Sequence, residues 1–384
     1  MNLIRLTLYC VATLTLLGCL SPERIENVDL LIINGSVYTG NSDDALALDI
    51  AVCQQVICGV YPTGKHQVIA SRVIDAKGKI VSPGFIDPHT HSMAELSSKD
   101  KNHNLNYLMQ GVTTVVNGND GDGPVDIKSS VQAITANGIG TNVALYTGHN
   151  NVRQHVMGKA ARFATSAELI EMEGLVEQAM KDGALGLSTG LYYVPGSYAN
   201  TEEVVTLAKV ASRFNGIYDT HLRDESTFNI GFIKALNEAI DVAKQADIHL
   251  HLAHIKALGV DVWGQSEQAI SVIEQAQQAG VSITADQYPW LASGTKLHSA
   301  VMPKWVMADS KKSFFQRLND KTLTEKLDDE IKENIRRRGG PSSLLITAFN
   351  DQSLVGKTLE QVAQQRQLSA VMTAKLLVQE GEVR

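Results

Sequence analysis

The chain has 384 residues, of which 44% are hydrophobic and 20% are charged, so it is long enough to bury a large core. Its formal net charge of −7 argues against nucleic acid as a partner, because phosphates call for a basic surface. Aromatic residues make up only 5% of the chain and provide no platform for base stacking. These values disfavour a nucleic-acid-binding protein and are otherwise typical of many enzymes.

The N-terminal segment differs in character from the rest of the chain. Arg5 is followed by an apolar stretch, Leu6 to Leu17, which is too short for a transmembrane helix. Residues 1–18 are typical of a secretory signal and resemble a bacterial lipoprotein signal, after which Cys19 becomes the lipidated first residue. We therefore expect export to the periplasm or cell surface and a lipid anchor in the membrane. The alternative is a plain signal peptide or an uncleaved anchor.

Two further cysteines, Cys53 and Cys58, flank a segment that has the pattern of a hairpin. A disulfide would suit an exported protein. Free thiols that pack as small apolar residues are the favoured interpretation, and neither cysteine is expected to be catalytic.

Residues 24–82 contain short strand patterns broken by turn residues and predict a small, β-sandwich-like module. From residue 83 to 384 the pattern changes to strands that alternate with longer helical segments. Strands are predicted at 113–116, 142–146, 184–188, 217–221, 248–254 and 281–286, and helices at 166–181, 202–213 and 232–245. Together with a strand before His91 this makes seven units, which indicates an α/β fold of the (β/α)₈-barrel type.

The segment from about 302 to 350 is predicted to be a helical insertion. Leu323, Leu327, Ile331 and Ile335 recur every four residues and form one apolar stripe on a charged helix. Arg336–Arg338 end that helix, and a solvated helix end is a better interpretation of this triplet than a binding patch.

His89 and His91 end an apolar run and are separated by one residue. In a strand, residues i and i+2 point to the same face, so the two imidazoles project together. A pair of imidazoles at the end of a buried strand packs poorly and binds metal well. The pair therefore predicts a metal site.

Other predicted strands also end in metal-binding side chains. His221 and His254 each follow an apolar strand, and Asp120 lies in a glycine-rich turn after residues 113–116. By strand parity, His249 and His251 are expected on the other face from His254, against the surrounding helices. Asp120 does not fit an EF-hand pattern, although a plain turn remains the alternative. Imidazoles with one carboxylate suit Zn²⁺ better than Mg²⁺ or Ca²⁺.

Several motifs resemble the amidohydrolase superfamily and, within it, the N-acyl-D-amino-acid deacylases (D-aminoacylases). The resemblance covers nearly everything after residue 28. It is carried by Pro83–His91, Gly111–Val115, Gly148–His149, Gly183–Gly196, Thr220–Glu225, His254–Lys256 and Asp286–Pro289.

The resemblance implies a zinc ion on His221, His254 and a bridging side chain, with His89 and His91 at a second, weaker metal position. The family's bridging residue is a cysteine in Gly-Asn-Cys-Gly, where this chain has Asp120, a harder ligand than a thiolate.

The resemblance also implies that Lys256 and Tyr288 hold the substrate's α-carboxylate. The family's serine six residues after that tyrosine is Gly294 here, with Ser293 one position earlier.

The general base of such hydrolases is an aspartate at the end of the eighth strand. By counting units, the strand-like run Leu344–Asp351 would be that strand and Asp351 the base. The resemblance instead places this run in an insertion and the base, in a Ser-Asp-Gly context, beyond Arg384. The sequence contains no Ser-Asp-Gly and ends within a helical pattern at 376–382, so a C-terminally truncated barrel is expected.

The favoured function is zinc-dependent hydrolysis of N-acyl-D-amino acids to a D-amino acid and a carboxylate. The alternatives are a related hydrolase that acts on a cyclic amide or D-residue dipeptide, and a truncated, inactive, metal-binding lipoprotein. The sequence leaves the acyl group, the side-chain preference and the oligomeric state open.

Overall fold

The structure, a computed structural model, describes residues 26–384. Contacts divide the chain into two compact units, with the boundary between Gly84 and Phe85. The predicted secretory signal and Cys19 lie outside the described residues. No helix within residues 26–384 combines the length and the apolar character needed to cross a membrane.

The N-terminal unit is a five-stranded sheet in the order β3-β2-β1-β4, with β5 paired to β1. Val28, Leu31 and Ala51 form its small core. The strands are β1 (Glu26–Val37), β2 (Leu46–Cys53), β3 (Val56–Pro62), β4 (Val68–Asp75) and β5 (Ile80–Val81).

The preference for free thiols at Cys53 and Cys58 is wrong, because the two residues form a disulfide. They lie at the tight hairpin between β2 and β3, where Cys53 pairs with Val56. The hairpin brings the two Cα atoms to 5.7 Å, within the range that a disulfide spans.

The second unit carries the parallel strands of a barrel-type fold, in sheets ordered β6-β7-β8 and β13-β12-β11-β10-β9. This confirms the predicted α/β barrel architecture, and the strands lie within a few residues of their predicted positions. They are β6 (Phe85–Asp87), β7 (Val112–Asn117), β8 (Asn142–Leu145), β9 (Thr147–Gly148), β10 (Gly186–Gly190), β11 (Ile217–His221), β12 (His249–Leu252) and β13 (Ile283–Ala285).

Helices cover these strands and bury one continuous apolar cluster, which includes Leu207, Leu236 and Leu250. α5 begins at a capping box, in which the Thr165 side chain accepts from the Glu168 N–H and Glu168 bonds back to Thr165. The helices are α1 (Met93–Leu96), α2 (Leu105–Leu108), α3 (Ile127–Thr135), α4 (His149–Met157), α5 (Ser166–Lys181), α6 (Thr201–Ser212), α7 (Phe232–Ala246) and α8 (Ser266–Gln278).

A buried polar network joins α4 to α6. His149 Nε2 lies 2.8 Å from Glu203 Oε1, and the Arg153 guanidinium donates to the other oxygen of the same carboxylate. All three side chains are almost fully buried. The Gly148–His149 motif therefore contributes to a structural network and not to the cavity described below.

After β13 the chain forms a second apolar cluster, which includes Leu327, Ile331 and Ile335 of the predicted stripe. The cluster extends from Leu297 to Val383, a wider span than the predicted insertion. Its helices are α9 (Leu297–Val301), α10 (Lys311–Asn319), α11 (Thr324–Arg337), α12 (Leu359–Arg366) and α13 (Ala370–Glu380).

The strand-like run Leu344–Asp351 forms no strand. Leu345 makes an isolated bridge with Thr358, and Ile346 and Phe349 are buried in the second cluster among its helices. The structure therefore excludes strand eight, the alternative obtained by counting units, which the resemblance also argued against.

Candidate metal centre and substrate cavity

The five predicted metal ligands come together around the Asp120 carboxylate. Its Oδ1 lies 3.1 Å from His254 Nε2, 3.5 Å from His221 Nδ1 and 3.7 Å from His89 Nε2. Its Oδ2 lies 3.3 Å from His91 Nε2. His91 is largely exposed, whereas the other four side chains are almost completely buried. The arrangement places one carboxylate between four imidazoles.

The ends of the barrel strands position these side chains. His221 is the last residue of β11, and His89 and His91 follow β6. Asp120 and His254 lie in turns just after β7 and β12, with left-handed φ angles of 58° and 35°. Such a conformation is uncommon for residues other than glycine, and it often marks functional sites.

The backbone of the Asp120 turn packs directly on β10. A Cβ atom added to Gly190 would lie 2.0 Å from the Asp120 carbonyl oxygen, so only glycine permits this approach. The Gly183–Gly196 motif thereby holds the turn that carries the central carboxylate.

The charges of the cluster are strongly coupled. Burial alone would raise the pKa of Asp120, but the four imidazoles around it, His221 and His254 foremost, hold it well below its ordinary value. Burial lowers the pKa of His254, but Asp120 and Glu225 raise it to about 10. A cation that binds His254 must therefore displace a proton, as is usual for metal binding by histidine.

The spacing of the three ligands predicted for the main ion fits a single tetrahedral centre. Bonds of about 2.0–2.1 Å place two tetrahedral ligand atoms roughly 3.3 Å apart. Asp120 Oδ1, His221 Nδ1 and His254 Nε2 are separated by 2.9, 3.1 and 3.5 Å. His89 adds two buried ring nitrogens that have no hydrogen-bond partner within residues 26–384. The residues present therefore fit a zinc site.

The expectation that His249 and His251 lie against the helices is wrong. Leu250 and Leu252 face the helices and join the main apolar cluster. His251 Nε2 instead lies 2.7 Å from Asp286 Oδ2, on the face of β12 that carries the site. Strand parity fails for His254 because the chain leaves β12 after Leu252 and turns through a left-handed backbone.

Lys256 and Tyr288, the predicted carboxylate-binding pair, line the same cavity of about 700 Å³ as the metal ligands. The Lys256 ammonium lies 5.8 Å from the centre of the Tyr288 ring and 2.6 Å from Glu225 Oε1. Ser293 and Gly294 both line this cavity. The structure thus places the Lys256 ammonium and the Tyr288 phenol in one cavity with the metal ligands.

Several residues of the cavity were not anticipated from the sequence. Tyr192 and Tyr193 line it and pack on the His221 ring, at 5.8 and 4.7 Å between ring centres. Arg338 also lines it and donates to Tyr192 Oη at 3.1 Å, although its triplet was interpreted as a solvated helix end. Arg336 does remain at the surface, paired with Asp261. Tyr192, Tyr193 and Arg338 lie in motifs that the sequence shows. The spacing of residues within a motif gives no information on contacts between segments this far apart in the chain.

The carboxylates that line the cavity all have partners. Asp120 contacts the imidazoles, and Asp87 accepts a hydrogen bond from the backbone N–H of His89. Asp286 accepts from the His251 ring and from the backbone N–H of His254. Glu225 pairs with the Lys256 ammonium. Asp351 does not line this cavity and is exposed, where it caps a short turn through Ser353. Asp351 is therefore not placed as a general base.

Comparison with known proteins identifies the family of the chain. Residues 72–328 match the model of the amidohydrolase family. Among curated proteins of Alcaligenes xylosoxydans xylosoxydans, the chain is 31% identical to a D-aminoacylase over 72% of this chain and 60% of the relative. It is 32% identical to an N-acyl-D-aspartate deacylase, over 70% of this chain and 57% of the relative.

Solved structures give the same result. A D-aminoacylase with a binuclear metal centre superposes with a TM-score of 0.73 at 26% identity, covering 93% of this chain and 70% of that one. An N-acyl-D-glutamate deacylase from Bordetella bronchiseptica, complexed with zinc and a phosphonate inhibitor, gives 0.74 at 26% identity, with 93% and 71% covered. The chain spans about 60% of the length of the curated relatives that it matches. On the extent of the family match, the chain belongs to the amidohydrolase family.

Proposed function

We propose that this protein hydrolyses the amide bond of N-acyl-D-amino acids with zinc held by Asp120, His221 and His254. The observation that carries the proposal is the close spacing of three ligand atoms from these residues, 2.9–3.5 Å, in one cavity with Lys256. The similarity to D-aminoacylases supports the class of substrate. His89 and His91, which lie 3.7 and 3.3 Å from the same carboxylate, would form a second, weaker position.

Different side chains would hold the metal ion and bind the substrate. Asp120, His221 and His254 would hold the zinc ion, whose Lewis acidity would polarise an amide carbonyl and lower the pKa of water. Lys256 and Tyr288 bind the α-carboxylate and thereby orient the amide toward the ligand cluster. Burial raises the pKa of Tyr288 to about 12, so its hydroxyl stays protonated and donates a hydrogen bond.

The test is release of free amine from an N-acetyl-D-amino acid and from its L enantiomer by the zinc-loaded chain. We expect hydrolysis of the D enantiomer, and none in the His221→Ala and His254→Ala variants. His155→Ala, a change at an exposed histidine of α4, is the matched control and should retain activity. A folded, zinc-loaded chain that releases no amine would contradict the proposal and favour a metal-binding protein without this activity.

A substrate panel separates the proposed substrate from a cyclic amide or a D-residue dipeptide. Lys256→Ala should lower kcat/KM by about 10–100-fold for substrates with a free α-carboxylate, because a charged hydrogen bond contributes about 1.5–3 kcal/mol. Cyclic amides without that group should be affected much less. Equal losses on both kinds of substrate would mean that Lys256 does not recognise the carboxylate.

We also propose that the protein is exported and anchored through a lipid on Cys19. The signal-like segment supports this, and so does the Cys53–Cys58 disulfide, because disulfides persist in oxidising compartments. Metabolic labelling with a fatty acid should mark the full chain but not its Cys19→Ala variant. Equal labelling of both, or of neither, would contradict the anchor.

A further inference from the structure

Glu225 lies behind the two imidazoles that face Asp120. Its Oε2 is 3.5 Å from His221 Nε2, and its Oε1 is 3.4 Å from His254 Nδ1. These are the ring nitrogens that do not face Asp120, since His221 approaches it through Nδ1 and His254 through Nε2. The Glu225 side chain is 2% exposed, and its Oε2 has no hydrogen-bond donor at normal distance within residues 26–384.

A neutral imidazole that binds a metal through one nitrogen carries its proton on the other. The hydrogen-bond acceptor at that second nitrogen determines the tautomer and the orientation of the ring. Glu225 offers one oxygen to each histidine, so a single carboxylate can serve both. Because the two rings face Glu225 through different nitrogens, they must carry their protons at different positions.

We propose that Glu225 is a positioning residue that holds His221 as the Nε2–H tautomer and His254 as the Nδ1–H tautomer. This leaves His221 Nδ1 and His254 Nε2 free to bind the metal ion. The inference rests on the metal site of the proposed function and goes beyond it, because it names the group that pre-arranges the ligands.

The alternative role for Glu225 is as a metal ligand, since its carboxylate and the same two histidines could themselves surround an ion. The Lys256 ammonium argues against this, because it lies 2.6 Å from Glu225 Oε1 and would repel a second cation at that point. The same ammonium lies 2.7 Å from His254 Nδ1 and can only donate there, so Nδ1 accepts from Lys256 in this structure. The proposed Nδ1–H tautomer therefore requires Lys256 to turn away from Nδ1 when zinc binds, while its contact with Glu225 Oε1 can remain.

The test is zinc affinity, measured by competition with a chromophoric chelator and therefore independent of turnover. Glu225→Gln should weaken zinc binding about 10–100-fold, because loss of an outer-shell partner has an effect of that size. An amide cannot accept from both rings, since one of its two ends is a donor. Nitrogen NMR of the zinc-loaded parent chain should show opposite tautomers for His221 and His254, and Glu225→Gln should disturb at least one.

Glu203→Gln is the matched control. Glu203 is also a buried glutamate that contacts a histidine and a cation, but it lies outside the cavity. Its variant should lose stability and keep the zinc affinity of the parent. If Glu225→Gln fails to fold because Lys256 loses its partner, Glu225→Gln/Lys256→Met removes both charges and should still bind zinc weakly.

The outcomes distinguish this inference from the proposed function. If the parent chain binds no zinc, the metal site itself is wrong. If the parent binds zinc and Glu225→Gln binds it equally well with unchanged tautomers, only the positioning role is overturned.

Discussion

The surroundings of Asp120, the carboxylate at the centre of the ligand cluster, are well suited to an acidic side chain. Four imidazole nitrogens lie 3.1–3.7 Å from its two oxygens, three of them facing Oδ1 and one, from His91, facing Oδ2. The oxygen nearer His221 and His254 also faces His89, so the carboxylate can serve two metal positions. An oxygen ligand is harder than a thiolate, so a carboxylate at this position favours harder cations than a cysteine would.

Substitution of this residue should therefore change metal preference. Asp120→Cys should raise affinity for Zn²⁺ relative to Mn²⁺ by roughly tenfold or more, because thiolate is the softer ligand. Asp120→Ala should weaken zinc binding by more than about 100-fold, since loss of a ligand costs more than loss of an outer-shell partner. Chelator competition with both ions measures this, and an unchanged Zn²⁺/Mn²⁺ ratio in Asp120→Cys would contradict it.

His298 provides a pH dependence outside the ligand cluster. Burial, with Lys296, Lys304 and Lys159 nearby, lowers its pKa from 6.5 to about 4 in the folded chain. The unfolded chain therefore binds the proton first as the pH falls, and stability is lost between about pH 6.5 and pH 4. Above pH 6.5 the group has no effect on stability.

The free energy of unfolding in urea, with metal removed by a chelator, checks this. Between pH 7.5 and pH 4.5 the parent chain should lose about 2–3 kcal/mol more than His298→Asn, since one pKa unit corresponds to about 1.4 kcal/mol. Parallel losses in the two proteins would mean that His298 titrates normally.

At the scale of the element, the sequence predicted the bounds of helices and strands best where hydrophobic periodicity agreed with the capping residues at the ends. The helix over residues 166–181 was located at its observed bounds, where Thr165 and Glu168 form a capping box. The strand ending at His221 was also correct. Parity failed at β12, because it assumes that the strand continues to His254, whereas the chain turns after Leu252.

The positions of Arg338 and Glu225 in the site could not be predicted from the spacing of residues in the sequence. Arg338 reaches the cavity from the end of α11, far along the chain from Tyr192, and only the packing of the helical segment brings them together. Glu225 appeared within a recognised motif, but its contact with both histidines depends on the fold of the turn after β11.

The close packing of β10 on the Asp120 turn makes a prediction for glycine. Gly190→Ala should displace the turn and weaken zinc binding by about tenfold or more, because its Cβ would meet the Asp120 carbonyl at 2.0 Å. Gly174→Ala is the matched control, since Gly174 lies exposed in α5 with free space around it. That variant should gain about 0.5–1 kcal/mol of stability and leave zinc affinity unchanged. Similar zinc affinities in both variants would contradict the steric argument.

At the scale of the whole molecule, the two compact units carry different stabilising features. The disulfide lies in the unit that ends at Gly84, and all the candidate metal ligands lie in the unit that begins at Phe85. Binding to the folded state raises stability by about 2.7 kcal/mol at a free ligand concentration 100 times Kd. Closing a loop as short as that between Cys53 and Cys58 contributes on the order of 2 kcal/mol.

Calorimetry should therefore resolve two transitions that respond to different treatments. Zinc should raise only the midpoint of the barrel unit, and Cys53→Ser/Cys58→Ser should lower only that of the β module. A single transition, or two that both move with zinc, would show that the units unfold together. A cooperative barrel transition that zinc raises would also count against the misfolded form of the inactive-lipoprotein alternative.

The left-handed backbone at Asp120 and His254 limits how this site can change through mutation. β-branched residues avoid that conformation, whereas Asn, Asp, His and Gly adopt it most readily, so few side chains are compatible with positions 120 and 254 before any chemistry is considered. His221 lies in an extended strand and is free of this restriction. In a variant library selected for folding alone, without metal, valine and isoleucine should be depleted at positions 120 and 254 and tolerated at 221. The residue types found at positions 120 and 254 would then reflect the backbone conformation there as well as the requirements of metal binding.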